Sequence, residues 1–149
     1  MHKKYVDTYC KNKEYDIKYY VFFRWEKTMG KVYIEMLDLV ANALIFLLDN
    51  NKEKKISFAT LDKYGAKVRE FLAKENGTDV YLYMSRESQD AIFEDYSEFF
   101  EQYNDNGTKG IKLKNDITSE NLWEKFCLYL PLGVLKAFDD SSVQEVLAA

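Results

Sequence analysis

The sequence predicts a helix-rich α+β fold, a single domain over residues 1–149 with a small sheet of about three strands covered by helices. Two patterns predict this fold. Apolar residues recur every three or four positions in several long segments, as on one face of a helix. From residue 54 onward, short runs of β-branched and aromatic residues separate those segments. A mostly α fold is the alternative.

The N-terminal part, residues 1–51, is predicted to be helical, and residues 52–149 to form an α/β part. The strongest apolar stripe predicts a core helix over residues 31–49, because this segment is apolar around much of its circumference. Residues 3–14 favour a short helix. Residues 15–26 fit both the alternation of a strand and the spacing of a helix, and helix is slightly favoured because the stripe continues from them.

After residue 52 the pattern alternates between strand and helix. Thr60, Thr118 or Ser119, and Ser142 are the predicted N-caps of three helices, the last in a capping box with Glu145. The predicted elements are strands at 56–58, 80–84 and 110–114, helices at 60–74, 86–103 and 119–130, and a short C-terminal helix.

Residues 86–103, RESQDAIFEDYSEFFEQY, carry the most informative pattern. On a helix of about 100° per residue, one side is aromatic and aliphatic, and we expect it in the core. The other side is acidic, and no Lys or Arg lies between Glu87 and Thr108. Asn106-Gly107 is predicted to end this helix. The acidic stripe consists of Glu87, Asp90, Glu94, Glu98, Glu101 and Asp105.

The acidic stripe has two interpretations. It is either a solvated face, neutralised in part by Lys112, Lys114 or Lys67, or a face that binds a basic partner, with carboxylates in place of phosphates. Like charges three or four residues apart cost a helix about 0.2–0.5 kcal/mol per pair. Ion pairs at Glu94 or Glu98 would favour the solvated face, and unpaired side chains there would favour the binding face.

The N-terminal half has the opposite character. Residues 1–75 carry 15 Lys and Arg against 11 Asp and Glu, a net charge of +4, whereas residues 76–149 carry −8. Cations alternate with aromatic residues near the N-terminus, as in proteins that bind single-stranded nucleic acid. The candidate residues for that alternative function are Lys3, Lys4, Lys11, Lys13, Tyr19 and Tyr20.

The sequence also contains a second group of basic residues. Lys63, Lys67 and Lys74 are spaced along one predicted helix, and the charged run KEKK at 52–55 precedes it. The favoured interpretation is a solvated helix face, and the alternative is that these lysines make a second basic patch.

Most enzyme signatures are absent from the sequence. His2 is the only histidine, and no glycine-rich phosphate loop occurs, so we predict no catalytic residues, no metal ligands and no cofactor. Carboxylate pairs at Glu94-Asp95 and Asp139-Asp140 are the remaining catalytic candidates. Helix capping is the favoured interpretation of the second pair.

Several other features of the sequence predict an intracellular protein. Cys10 and Cys127 form no CxxC motif and are predicted to be free thiols. The start of the chain lacks the apolar segment of a secretion signal, and no apolar run is long enough for a membrane span, which predicts a cytoplasmic protein. Eighteen lysines against three arginines suggest AT-rich coding, as in many low-GC bacteria, their phages and their mobile elements.

These observations lead to one functional hypothesis. The chain is a small non-enzymatic binding protein whose acidic face docks on a basic surface of a partner protein. In its concrete form, it is a phage or mobile-element inhibitor of a nucleic-acid-handling enzyme, either anti-CRISPR-like or a DNA mimic. The alternative is a nucleic-acid-binding regulator that uses the N-terminal half. The oligomeric state is not predicted.

Overall fold

The structure is a computed structural model that describes residues 32–76, 80–83, 86–128, 130 and 132–148. The predictions for residues 3–14 and 15–26 lie outside the described residues. The elements, in chain order, are β1 (Val32–Glu35), α1 (Met36–Asp49), β2 (Lys55–Ser57), α2 (Phe58–Asn76), β3 (Val80–Tyr83), α3 (Arg86–Asp95), β4 (Phe100–Asp105), β5 (Thr108–Leu113), α4 (Ser119–Leu122), a π-helical turn (Trp123–Cys127), α5 (Leu132–Asp139) and α6 (Ser141–Ala148).

The strands form two small sheets. Strands β2, β5 and β4 make an antiparallel sheet in that order, and β1 pairs in parallel with β3. The predicted helix-rich α+β fold with a three-stranded sheet is therefore confirmed. The two-stranded parallel sheet was not expected.

Helix α1 is the centre of the core. Every residue from Leu39 to Leu47 is buried. The helix contacts α2, α4, α6, β2 and the π-helical turn. The predicted core helix at 31–49 is thus present, but it begins at Met36. Residues 32–35 form β1 instead, because their β-branched and aromatic side chains also suit a strand and β3 supplies backbone partners.

The predicted helix at 86–103 is wrong in its second half. Helix α3 ends at Asp95, and Phe100–Asp105 forms strand β4, which pairs with β5. Asn106 and Gly107 have φ of 51° and 94° and connect the two strands as a two-residue loop. An Asn-Gly loop with two positive φ values is the most favoured β-hairpin turn, so this pair closes a hairpin and does not end a helix.

Two of the predicted helix caps shift. Ser57 precedes α2, and its Oγ accepts a hydrogen bond from the Thr60 amide at 3.1 Å, so Ser57 takes the role predicted for Thr60. Asp140 precedes α6, where its carboxylate accepts from the amides of Ser142 and Val143 at 3.1 and 3.3 Å. The predicted capping box at Ser142 is therefore replaced by an Asp140 cap.

The Thr118 cap is confirmed. Its Oγ1 accepts from the Asn121 amide at 3.2 Å, and the Asn121 side chain accepts from the Thr118 amide at 3.1 Å. The α-helical turn that follows passes directly into the π-helical turn, so the predicted helix at 119–130 changes its winding after one turn.

Gly110 lies in the middle strand of the three-stranded sheet, where no side chain has room. It pairs with Ser57 on one side and with Tyr103 on the other. A Cβ atom at this position would lie 2.7 Å from the Ser57 Cα and 2.7 Å from Cε1 of Tyr103, and would overlap the Ile56 carbonyl oxygen. Only glycine fits between these neighbours.

We therefore expect Gly110→Ala to lower the free energy of unfolding by about 1–3 kcal/mol, the usual cost of overpacking. Gly133→Ala is the matched control, because nothing lies within 4 Å of its Cβ position and the residue is in helix α5. It should raise the free energy of unfolding by about 0.5 kcal/mol. Urea unfolding measures both free energies. Equal effects of the two substitutions would contradict the close packing around Gly110.

Candidate functional site

The acidic stripe does not lie on a single helix face. Asp90 and Glu94 are exposed on α3, with Glu87 in the first turn of that helix, and Glu98 is exposed in the turn that follows. Glu101 and Asp105 belong to strand β4. The expected six-residue helical surface is therefore wrong, because the chain changes from helix to strand within it.

The two acidic residues of β4 are part of the sheet. Glu101 lies opposite Lys112 of β5, with 3.3 Å between its Oε1 and the Lys112 Nζ, and Asp105 pairs with Lys55 of β2 at 2.6 Å. Neutralisation by Lys112 is thus confirmed for Glu101. Exposed ion pairs of this kind contribute little to stability, because water screens the attraction. Both carboxylates of β4 therefore already have a lysine partner within the protein.

Lys55 is the most connected cation of the sheet. Its Nζ lies 5.1 Å from the centroid of the Tyr103 ring and 3.6 Å from Glu53. The hydrogen bond to Asp105 raises the pKa of Lys55, and partial desolvation opposes that shift. The sequence shows Lys55 only as part of the charged run at 52–55, because its contact with Asp105 depends on β2 joining the hairpin.

Asp90, Glu94 and Glu98 behave differently, and we refer to them as the open acidic group. All three are exposed, and none forms an ion pair within the described residues. The predicted neutralisation by Lys67 does not occur there, because Lys67 lies 3.9 Å from Glu70 on its own helix. Lys114 likewise makes no ion pair within the described part of the chain. The open acidic group is what remains of the predicted stripe.

An aromatic cluster holds the turn that carries Glu98. The Phe126 ring meets the rings of Tyr96, Phe99 and Phe100 at centroid distances of 5.1, 5.2 and 5.5 Å. The amides of Phe99 and Phe100 both donate to the Tyr96 carbonyl. These residues do not share one helix face as predicted: Phe100 is buried in β4, and Tyr96 and Phe99 are half-buried in the turn. Their contacts with Phe126 fix the backbone on both sides of Glu98.

The carboxylate enzyme hypothesis receives no support from the described side chains. Asp140 is the cap of helix α6, and Glu94 and Asp95 are both exposed. Among the residues that the structure describes, no group of three or more His, Cys, Asp and Glu side chains could hold a metal ion. The six Lys and Tyr residues of the alternative nucleic-acid site lie outside the described range, so that site stays a prediction.

Cys127 is buried in the π-helical turn and forms no disulfide. Burial, together with nearby Asp38, raises the pKa of its thiol well above the usual value, and a hydrogen bond with Asn42 acts in the opposite direction. The Asn42 side chain also donates to the Asp38 carbonyl at 2.7 Å. A thiol in this environment stays protonated and is shielded from reagents.

A second charged feature lies where α1, β2, α2 and α6 meet. It is a cleft of about 490 Å³ whose charged lining residues are Lys52, Glu53, Lys55 and Lys63, three cations and one carboxylate. We call it the basic cleft. Lys63 and the 52–55 run, which the sequence offered as an alternative basic patch, thus share one cleft. Lys67 pairs with Glu70 and Lys74 does not line the cleft, as the favoured interpretation of a solvated helix face predicts for them.

Comparison of the chain with models of known protein families, with curated proteins and with solved structures gives no match. Among the helices that the structure describes, none combines the length and apolar character that a membrane crossing requires. The function must therefore be argued from the residues themselves.

We expect Cys127 to react with iodoacetamide only after the protein opens. In a Cys10→Ser background, alkylation of the native protein should be at least about 1,000-fold slower than in urea, because the folded state is favoured by several kcal/mol. Mass spectrometry of timed samples measures both rates. Similar rates in the two conditions would contradict the burial of this thiol.

Proposed function

We propose that this chain is a small, non-enzymatic binding protein whose open acidic group docks on a basic surface of a partner protein. One observation carries the proposal: Asp90, Glu94 and Glu98 are exposed without an ion pair in the described residues, whereas Glu101 and Asp105 nearby in the chain are paired. Glu101 and Asp105 of the sheet are thus neutralised within the protein, whereas Asp90, Glu94 and Glu98 have no ion-pair partner in the described residues.

Charge physics supports a binding role for the open acidic group. Asp90 and Glu94 are four residues apart on α3, so their repulsion costs the helix about 0.2–0.5 kcal/mol. A basic partner would remove that repulsion. An acidic surface also attracts a basic partner over several ångströms in water and speeds the encounter.

The backbone beneath Glu98 is held before any partner arrives. The aromatic cluster around Phe126 and the two hydrogen bonds to the Tyr96 carbonyl fix the turn. A binding residue on a fixed backbone loses less conformational entropy when the complex forms. This geometry favours a defined interface over diffuse charge attraction.

The partner class follows from the chemistry of the surface. Carboxylates separated along a helix and turn can occupy the phosphate sites of a protein that binds nucleic acid. Residues 76–149 carry a net charge of −8, and the AT-rich coding is typical of phages and mobile elements. We therefore propose a cytoplasmic inhibitor of a nucleic-acid-handling enzyme, acting as a DNA mimic or in an anti-CRISPR-like manner.

The test is a charge reversal of the open acidic group. We expect Asp90→Lys/Glu94→Lys/Glu98→Lys to lower the affinity for the partner at least about 100-fold, because three attractions become repulsions. Affinity capture from the native host identifies the partner, and titration with that partner measures the affinity. Glu101 is left unchanged, since a lysine there would face Lys112 and disturb the sheet.

The control variant is Asp62→Lys/Glu75→Lys/Glu145→Lys, which changes the net charge equally at exposed positions on α2 and α6. It should retain binding. Double-stranded DNA should compete with the wild-type protein for the partner. Equal affinities of the two variants would refute the role of the open acidic group, and a partner that DNA does not displace would refute the DNA-mimic form.

A further inference from the structure

The basic cleft combines cations with an apolar wall. Lys52 lies in the segment before β2, Lys55 is the first residue of β2, and Lys63 lies in the second turn of α2. The aliphatic part of the lining is supplied by the end of α1, by β2 and by α6. Those aliphatic residues are Leu47, Ile56, Val146 and Leu147. A volume of about 490 Å³ is within the range of small-molecule sites.

The three lysines are not equivalent. Lys55 is held by Asp105 at 2.6 Å and by Glu53 at 3.6 Å, so its charge is already balanced. Lys52 and Lys63 form no ion pair within the described residues; the Lys52 Nζ has only a weak contact of 3.4 Å with the Ala148 carbonyl. Glu53, the carboxylate of the same lining, is the partner of Lys55, so the lining of the cleft carries a net charge of +2 from Lys52 and Lys63.

The hydroxyl of Thr60 adds a directional donor to the same cleft. The Ser57 hydroxyl donates to the Thr60 Oγ1 at 3.0 Å, and the Ser57 Oγ accepts from the Thr60 amide. Since the Thr60 oxygen acts as the acceptor in the first bond, its own O–H remains able to donate. A phosphate oxygen in the cleft would be a suitable acceptor.

We propose that the basic cleft binds a small phosphate monoester with an apolar organic group. The dianionic phosphate carries about two negative charges at neutral pH, which Lys52 and Lys63 can balance, and lysine is a common phosphate ligand. The organic group lies against Leu47, Val146 and Leu147. This site is separate from the open acidic group and does not depend on the proposed function.

Phenyl phosphate is the test ligand, because it joins a phosphate to a compact apolar ring. In ¹H–¹⁵N NMR titrations of the full chain, we expect saturable shifts of the Lys52, Thr60 and Lys63 amides, with a Kd below about 1 mM for a ligand of this size. Inorganic phosphate should bind at least about fivefold more weakly, since it lacks the apolar ring.

Matched variants separate this site from general charge attraction. Lys63→Gln should weaken binding about fivefold, and Lys52→Gln/Lys63→Gln more strongly. Lys74→Gln makes the same change on the same helix, about 16 Å further along its axis, and should bind as the wild type does. The absence of saturable shifts, an equal loss in Lys74→Gln, or equal binding of inorganic phosphate would each overturn the proposal.

Discussion

Burial of helix α1 on all sides is the constraint on which the rest of the described structure depends. A helix that exposes almost none of Leu39, Leu44 or Ile45 needs neighbours around its whole circumference. Helices α2, α3, α4 and α6, strands β1 and β2 and the π-helical turn supply them. The open acidic group lies on α3 and the turn after it, and the basic cleft lies where α1, α2, β2 and α6 meet.

The same arrangement explains why charged residues that are neighbours in sequence have different surroundings. Glu98 and Glu101 are three residues apart, yet one is exposed without a counter-ion in the described structure and the other faces Lys112. The change occurs at Phe99 and Phe100, where the chain leaves the turn and enters the sheet. Strand pairing with β5 therefore determines which carboxylates are balanced.

Much of the fold follows from local pattern, and the exceptions have physical reasons. The apolar content of residues 36–48, the Thr118 cap and the Asp140 cap are all readable from the sequence. Strand β4 is not, because Phe99, Phe100 and Tyr103 also fit helical spacing, and only pairing with β5 decides between the two. The Asn106-Gly107 pair was the available signal for a hairpin.

The candidate sites, too, can be predicted only where they depend on local pattern. The exposure of Asp90 and Glu94 could be predicted, because they lie opposite the apolar side of a real helix. The grouping of Lys52, Lys55 and Lys63 was open from their nearness in sequence, but the aliphatic wall beside them was not predictable, because it requires α6 to reach the region of β2. Contacts between distant segments depend on the whole fold, which periodicity in one segment does not encode.

The pairing of β5 with two partners also bears on the order in which the molecule folds. Strands β4 and β5 are joined by two residues, and such hairpins form within about 1–10 μs. Strand β2 pairs with β5 across more than fifty residues, which makes its closure slower. In addition, β2 brings Lys55 directly opposite Lys112, and Glu101 and Asp105 of the finished hairpin offset that repulsion. We therefore expect the hairpin to serve as a template that β2 joins late, so that the basic cleft is among the last features to assemble.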